Sequence, residues 1–222
     1  MGALLSFVVG QLCARLKLRR GVRTNYTRKI FHFAIFSVAT GLHIAGGWPW
    51  VNAYALGVVA VILFGVWRGD GHALYEPLAR ERDAPHRTFY IFVPLITTAL
   101  GGLVSNAVAG DFALVGYLVT GWGDAVGEPV GARWGRHPYR VLTLRRVACT
   151  RTLEGSAAVG IAAWLAASLA LVLGFDVPLA TACLHGLAIG LITLAVEAAS
   201  PHGSDNFTTM VAAALAAMWM TA

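Results

Sequence analysis

The chain has 222 residues, of which 57% are apolar and only 13% are charged, and its mean hydropathy is +0.66. A soluble domain carries about 25% charged residues, and a disordered chain is less apolar than this one. The composition therefore excludes a disordered chain, argues against a soluble single domain and predicts a polytopic membrane protein.

Charge and cysteine content narrow the class further. In a soluble protein the net charge of +6 would suggest nucleic acid. Here the arginines flank apolar stretches, so membrane topology explains them and we expect no nucleic-acid partner. Cys13, Cys149 and Cys183 are scattered and form no CxxC pair, which predicts neither a disulfide nor a zinc site.

Eight apolar stretches follow one another along the chain, several of them shorter than the roughly 20 residues that cross a bilayer. The first has basic residues after it and none before it, the reverse of a secretory signal peptide, so we interpret it as a retained span. The sequence thus predicts an all-α bundle of about eight transmembrane helices, forming a single catalytic domain over residues 1–222. The stretches are 1–14, 30–46, 51–67, 89–105, 112–127, 156–173, 179–199 and 207–222.

The connecting segments predict the orientation. Three of them hold every Lys and Arg of the chain, and eight spans place all three on one face, together with the segment 200–206. Basic loops stay in the cytoplasm, so both termini are expected on the non-cytoplasmic side, in an integral protein of a prokaryotic plasma membrane. The three basic segments are 15–29, 68–88 and 133–151.

Acidic residues gather on the same face. Asp124, Glu128, Glu154, Glu197 and Asp205 lie at the predicted cytoplasmic ends of spans or in the adjoining loops. Ionisable groups at membrane depth cost several kcal/mol and usually have a function. Carboxylates suit Mg²⁺ and guanidiniums suit phosphate oxygens, so the mixture predicts a site for a metal–phosphate ligand.

The richest stretch is GWGDAVGEPVGARWGRHPYR, residues 121–140. On a helix Asp124 and Glu128 share one face, and both can reach one cation. Pro129 disfavours helix at Glu128, so we expect a break there that opens backbone groups toward a ligand. Glycines recur every four residues from 123 to 135, and by themselves they are more typical of a helix-packing face.

Three further stretches carry polar groups at the same depth. In TRTLEGS (150–156) Thr152 is expected to cap a helix, whose start either binds an anion or is an ordinary helix end. In YTRKIFHF (26–33) Arg28 and Lys29 lie within one helical turn of His32. In VEAASPHGSDNFTT (196–209) Asp205 or Asn206 is expected to cap the last span. Capping does not account for Glu197, a carboxylate at the end of the span before it.

These motifs resemble the polyprenol kinase family, which includes dolichol kinase, phytol kinase and the CTP-dependent diacylglycerol kinase. The resemblance runs in order from about Thr27 to the C-terminus, through TRKIFHF, GDAVGEPVGARWGRHPYR, TRTLEGS and VEAASPHGSDNFT. One departure is Arg151, which stands where the family commonly has Lys. The blocks also look like the catalytic region of the cytidylyltransferases that make CDP-diacylglycerol, but the second acidic signature of those enzymes is absent.

The resemblance implies a kinase that transfers the γ-phosphoryl group of CTP to a membrane isoprenoid alcohol or diacylglycerol, with Mg²⁺, at the cytoplasmic interface. We expect Asp124, Glu128, His32 and Lys29 to be catalytic and Asp124, Glu128 and Asp205 to bind the metal. Glu197 and Ser200 are expected to support them. The expected nucleotide-binding residues are Arg28, Gly131, Arg133, Gly135, Arg136, Arg151, Thr152, Glu154, Gly155 and Asn206.

Two other functions stay open. A cytidylyltransferase needs similar metal and triphosphate groups and differs in its products. A transporter predicts ionisable groups near the bilayer midplane and paired repeats, and the sequence has neither. The residues alone do not choose between CTP and ATP, between His32 and a carboxylate as the general base, among the lipid alcohols, or between a monomer and a homodimer.

Overall fold

The computed structural model describes residues 2–143 and 149–221, and it is helical apart from one short strand pair. Arg145 and Arg146 of the third basic segment lie outside the described residues. Two single-turn 3₁₀ helices, Glu81–Asp83 and Gly110–Phe112, interrupt the connections. The helices and strands are α1 (Gly2–Arg20), α2 (Thr24–Arg68), α3 (Phe89–Ala109), α4 (Ala113–Trp134), β1 (Pro138–Val141), β2 (Cys149–Thr152), α5 (Leu153–Phe175), α6 (Leu179–Ala199) and α7 (Asp205–Thr221).

Four helical stretches of the described chain are long and apolar enough to cross a membrane: Thr24–Arg68, Phe89–Trp134, Leu153–Phe175 and Leu179–Ala199. At most 39% of the most apolar window of each is buried inside the protein. Surfaces this apolar and this exposed suit lipid rather than water. The all-α membrane class is therefore confirmed, while α1 and α7, the first and last expected spans, do not belong to this set.

The two longest stretches are interrupted where the sequence analysis separates spans. Within α2, Gly47 has φ 70° and ψ −170°, a left-handed conformation that glycine adopts without a Cβ penalty. Pro49 follows two residues later. Between α3 and α4, the helix ends at Gly110 (φ 55°) and restarts after the 3₁₀ turn Gly110–Phe112.

The expected break at Pro129 is wrong. Helix α4 continues through Pro129 to Trp134, so the backbone at Glu128 is not opened toward a ligand. Proline fixes φ near the helical value and removes only one donor. Membrane helices tolerate that loss because neighbouring groups compensate for it.

The glycine row of α4 packs against the start of α5. A Cβ atom on Gly127 would lie 2.6 Å from Cγ2 of Val159, and one on Gly131 would lie 2.8 Å from Oγ1 of Thr152. A Cβ on Gly155 would in turn lie 2.9 Å from the carbonyl oxygen of Gly127. Glycine at these positions therefore lets the two helices approach closely, as the packing interpretation predicts.

A two-stranded antiparallel hairpin connects α4 to α5, which the all-α interpretation did not include. Tyr139 of β1 pairs with Arg151 of β2, and the last residue of β2, Thr152, has extended φ/ψ of −129° and 149°. Its Oγ1 accepts a hydrogen bond of 3.1 Å from the N–H of Gly155. The expected cap of this helix at Thr152 is confirmed, and β2 delivers it.

Helix α4 is the centre of the bundle. It packs against α5, α2 and α7, and its first two turns, from Ala113 to Thr120, are buried on all sides. Small residues of α5, including Ala163, Ala166 and Ala170, complete the core. The partly buried C-terminal half of α4 carries Asp124 and Glu128, so the site is built on the most enclosed helix.

The first prediction concerns the close contact of α4 with α5. Gly127→Ala should destabilise the protein by about 1–3 kcal/mol, because its methyl group collides with the stiff side chain of Val159. Thermal unfolding in detergent measures the change. Gly41→Ala is the matched control. A Cβ at this exposed position in α2 meets nothing within 4 Å, so the substitution lowers the conformational entropy of the unfolded chain without a clash in the folded protein. Equal effects at the two glycines would contradict the packing role.

Candidate active site

A polar cavity of about 740 Å³ lies between α2, α4, α5, α6 and α7. It brings together residues that are more than 150 positions apart in the chain. Basic and acidic side chains alternate around its wall. The expected site residues that line it are Arg28, Lys29, Asp124, Glu128, Gly131, Arg151, Thr152, Gly155, Glu197, Asp205 and Asn206.

Lys29 is the cation at the centre of this cavity. Its side chain is 6% exposed, and its Nζ lies 2.6 Å from Oδ1 of Asp124 and 3.6 Å from Oε2 of Glu128. The two carboxylates are one helical turn apart on α4 and so face the same point. Both carboxylates therefore approach the ammonium group of Lys29, and their binding of a metal ion stays a prediction.

Two arginines that the sequence analysis did not select also reach Glu128. Arg80 Nη1 lies 3.3 Å and Arg82 Nη2 lies 2.8 Å from its Oε1. Arg80 is 5% exposed and also pairs through Nε with Asp83, at 2.8 Å. Although burial opposes its charge, Glu128 and Asp83 raise the pKa of Arg80 above its ordinary value. The only sequence signal for these residues was the basic character of the segment 68–88.

A separate group of ion pairs fixes that segment to the first two helices. Lys17 of α1 donates to Oγ1 of Thr24 and to Oε1 of Glu81, both at 2.6 Å. Arg87 donates to Oε2 of Glu76 at 3.0 Å, and Glu76 also lies 3.3 Å from Lys17. These contacts hold Arg80 and Arg82 over the cavity.

Arg151 joins the hairpin to the corner between α6 and α7. Its Nε lies 3.0 Å from Oε1 of Glu197, and its Nη2 lies 2.9 Å from Oδ2 of Asp205. It also donates to the backbone carbonyls of Glu197 and Ser200. Glu197 accepts a further bond of 2.9 Å from Ser156. The arginine thus lies in the cavity wall with its charge already balanced.

The donor set can hold a metal ion only together with a ligand. Within residues 2–143 and 149–221, no three His, Cys, Asp or Glu side chains form a metal-binding group. Asp205, the expected third metal ligand, pairs with Arg151. Mg²⁺ is usually bound through one or two carboxylates plus substrate phosphates, and Asp124 and Glu128 fit that arrangement.

Several expected site residues lie outside the polar cavity. Because α4 continues past Pro129, it carries Arg133 to the exposed surface, where the guanidinium covers the Trp134 ring at 5.3 Å. Glu154 pairs with Nδ1 of His137 at 2.6 Å. The others outside the cavity are Gly135 and Arg136, which are exposed, Ser200, which bonds to Val196 and Thr208, and His32.

A second, apolar cavity of about 440 Å³ adjoins the first. It lies mainly between α2 and α3, among side chains such as Phe31, Ile35 and Leu95. Its wall contains His32, whose Nε2 lies 3.4 Å from Oδ2 of Asp124. Arg28 and Asn206 line both cavities.

The chain is 31% identical over 198 residues to a phytol kinase of Synechocystis sp., an alignment that covers 86% of this chain and 77% of that one. No family model and no solved structure matches it.

The chain belongs to the polyprenol kinase family. It is therefore a phosphotransferase with an alcohol acceptor, and its class is that of lipid-alcohol kinases. In this kinase the polar and apolar cavities lie side by side, one with the groups that suit a nucleotide phosphate and the other with an apolar lining.

His202 is a further buried group of this kinase that the sequence did not indicate. It lies in the turn between α6 and α7, where Nη2 of Arg80 donates to its Nε2 at 3.1 Å. Burial, together with the charges of Arg80, Arg28 and Arg151, lowers the pKa of His202 from 6.5 to about 4, although Asp83 opposes the shift. The imidazole is thus neutral at neutral pH and accepts the bond from Arg80.

The second prediction follows from this shift. The unfolded chain takes up a proton at His202 near pH 6.5 and the folded chain only near pH 4. Stability should therefore fall as the pH drops through that window, by up to about 1.4 kcal/mol per pH unit from this group. His202→Gln should flatten the slope, measured as unfolding midpoints between pH 7 and 4.5. An unchanged slope would show that His202 titrates normally.

Proposed function

We propose that this protein is a CTP-dependent kinase that transfers the γ-phosphoryl group to a membrane isoprenoid alcohol of the polyprenol, dolichol or phytol type. One observation supports it above the others: a cavity lined by cations and two carboxylates adjoins an apolar cavity. The phytol kinase relative supports the same acceptor class. The choice of CTP rests on the family resemblance.

The polar cavity provides the groups that phosphoryl transfer requires. Such catalysis consists mostly of positioning and of neutralising charge on the phosphate oxygens. Lys29, Arg28, Arg80 and Arg82 line the cavity and are long enough to follow a triphosphate. The start of α5, beside Gly155, adds the positive end of a helix.

Mg²⁺ fits this site as a partner of the nucleotide. We assign it to Asp124 and Glu128, whose carboxylates surround Lys29. The two carboxylates would hold the metal, which would neutralise charge on the phosphate oxygens, and Lys29 would pair with a phosphate oxygen. Each buried charge then keeps an opposite charge beside it, which buried ions require.

The membrane arrangement in this proposal has eight crossings. A helix of 45 residues is about 68 Å long, roughly twice the ~30 Å of the hydrocarbon core. We therefore count the two stretches Thr24–Arg68 and Phe89–Trp134 as two crossings each, divided at Gly47 and at the turn Gly110–Phe112. Together with α1, α5, α6 and α7 they make eight crossings, and we propose that the site faces the cytoplasm and that both termini lie on the opposite side.

Label transfer in detergent or liposomes tests the proposal. CTP labelled at the γ- or the α-phosphate is offered with Mg²⁺ and with farnesol, phytol, a polyprenol, diacylglycerol or phosphatidic acid, and ATP serves as the comparison donor. We expect γ-label on an isoprenoid alcohol, with CTP preferred over ATP. Transfer of α-label to phosphatidic acid would show a cytidylyltransferase and contradict the proposal.

The third prediction tests the carboxylates. Asp124→Asn and Glu128→Gln should each lower kcat at least about 100-fold and shift the Mg²⁺ dependence to higher concentration, because each removes a metal ligand. Asp176→Asn is the matched control. This residue caps the far end of α5 in the left-handed conformation, which Asn adopts as well. Near-normal turnover of both site variants at limiting Mg²⁺ would overturn the metal assignment.

A further inference from the structure

The apolar cavity is large enough for a lipid tail. Its volume of about 440 Å³ is roughly three times the ~150 Å³ cavity that holds one benzene molecule, so it has room for about twenty carbon atoms. Its wall is formed by side chains of α2 and α3 such as Phe36, Val58, Leu95 and Leu103. Two acyl chains would need about twice this space.

Arg28 stands where this cavity meets the polar one. It lines both, and in the part of the chain that the structure describes its buried Nη1 has no hydrogen-bond partner. Lys29, Arg80 and Arg82 of the same site are all paired with carboxylates. A buried N–H without a partner is costly, so the geometry favours an anion at the boundary of the two cavities.

Two other polar groups lie at this boundary. Asn206 is 3% exposed, lines both cavities, and donates through Nδ2 to Oγ1 of Thr98 at 2.8 Å. That bond fixes the amide and directs its carbonyl oxygen away from Thr98. His32 lies in the apolar wall, with its ring 4.5 Å from that of Phe36 and its Nε2 3.4 Å from Oδ2 of Asp124.

We propose that the apolar cavity is the acceptor site, that it takes the single chain of an isoprenoid alcohol of up to about twenty carbons, and that Arg28 holds the transferred phosphoryl group at its polar end. This inference rests on the proposed kinase function, locates the acceptor and narrows the proposed isoprenoid alcohols to the short ones of the phytol type. The cavity reaches the lipid between α2 and α3, which pack against each other over only a small area. Diacylglycerol, with two chains, does not fit.

In the transfer step the hydroxyl oxygen of the alcohol attacks the γ-phosphorus, and the bond from that phosphorus to the β–γ bridging oxygen breaks. The nucleoside diphosphate leaves with the bonding electron pair. The hydroxyl proton leaves to water in the polar cavity, while Asn206 accepts the hydrogen bond that orients the hydroxyl beforehand. Arg28 stabilises the charge on the equatorial phosphate oxygens.

The fourth prediction concerns a substitution that fills part of the apolar cavity. A Cβ on Gly102 of α3 meets only the Tyr117 ring, at 3.8 Å, so Gly102→Leu places a new side chain in the cavity without a backbone clash. We expect KM for the twenty-carbon geranylgeraniol to rise at least tenfold, KM for the ten-carbon geraniol to change less, and KM for CTP to stay within twofold.

Gly41→Leu is the matched control, because Gly41 lies in α2 with open space around it and does not line the cavity. It should behave as the unaltered protein. Gly102→Ala is a milder variant for the case that Gly102→Leu does not fold. It should raise KM for geranylgeraniol by a smaller factor. Unchanged acceptor kinetics in a folded Gly102→Leu protein would overturn the acceptor site. Absence of γ-label transfer by the unaltered chain would instead reject the kinase proposal.

The fifth prediction concerns Arg28. Arg28→Ala should lower kcat at least 100-fold while KM for CTP changes less than tenfold, because the guanidinium acts mainly on the transferred group. Arg28→Lys keeps the positive charge but lacks the planar guanidinium with its paired N–H donors, so it should recover only part of kcat. Unfolding midpoints equal to that of the parent exclude a purely structural effect. A kcat within threefold of the parent in Arg28→Ala would contradict the role.

Discussion

The pairing of Lys29 with Asp124 and Glu128 is the interaction on which the site depends. An unpaired charge at this depth is unfavourable by several kcal/mol, so an ammonium group on α2 and two carboxylates on α4 have to meet. That requirement fixes the rotation of both helices about their axes. Two arginines of the segment 68–88 also pair with Glu128, because one lysine does not balance two carboxylates. In the proposed kinase these same charges would bind the metal and the triphosphate.

The first two turns of α2 divide the site into two compartments. Lys29 faces the polar cavity, Phe31 and His32 face the apolar one, and Arg28 reaches both. The proposed function has to join a highly charged donor to a water-insoluble acceptor, and this helix turn points successive residues to the two cavities. The close contact of α4 with α5 at Gly127 supplies the third wall. The chemistry thus follows from helix periodicity and from close packing.

Local patterns in the sequence predicted the parts of the site that depend on local structure. The four-residue spacing of Asp124 and Glu128 and the cap at Thr152 follow from helix geometry, and both are present. Arg80, Arg82 and His202 were missed because only long-range contacts bring them to the cavity. The expected break at Pro129 was wrong because the membrane bundle stabilises a continuous helix, which also carries Arg133 out to the surface. The sequence did not predict the hairpin of β1 and β2, because strands of four residues are too short to show a clear alternating pattern.

The binding of the acceptor chain in the apolar cavity is tested most directly by photo-cross-linking. A twenty-carbon isoprenoid alcohol with a diazirine at its tail is irradiated with the protein in liposomes, with and without excess unlabelled geranylgeraniol, and the adducts are mapped by mass spectrometry. The account predicts competable adducts on cavity-facing residues of α2 and α3, such as Val58 and Leu95. Adducts confined to the lipid-exposed outer faces, or unaffected by the competitor, would contradict it.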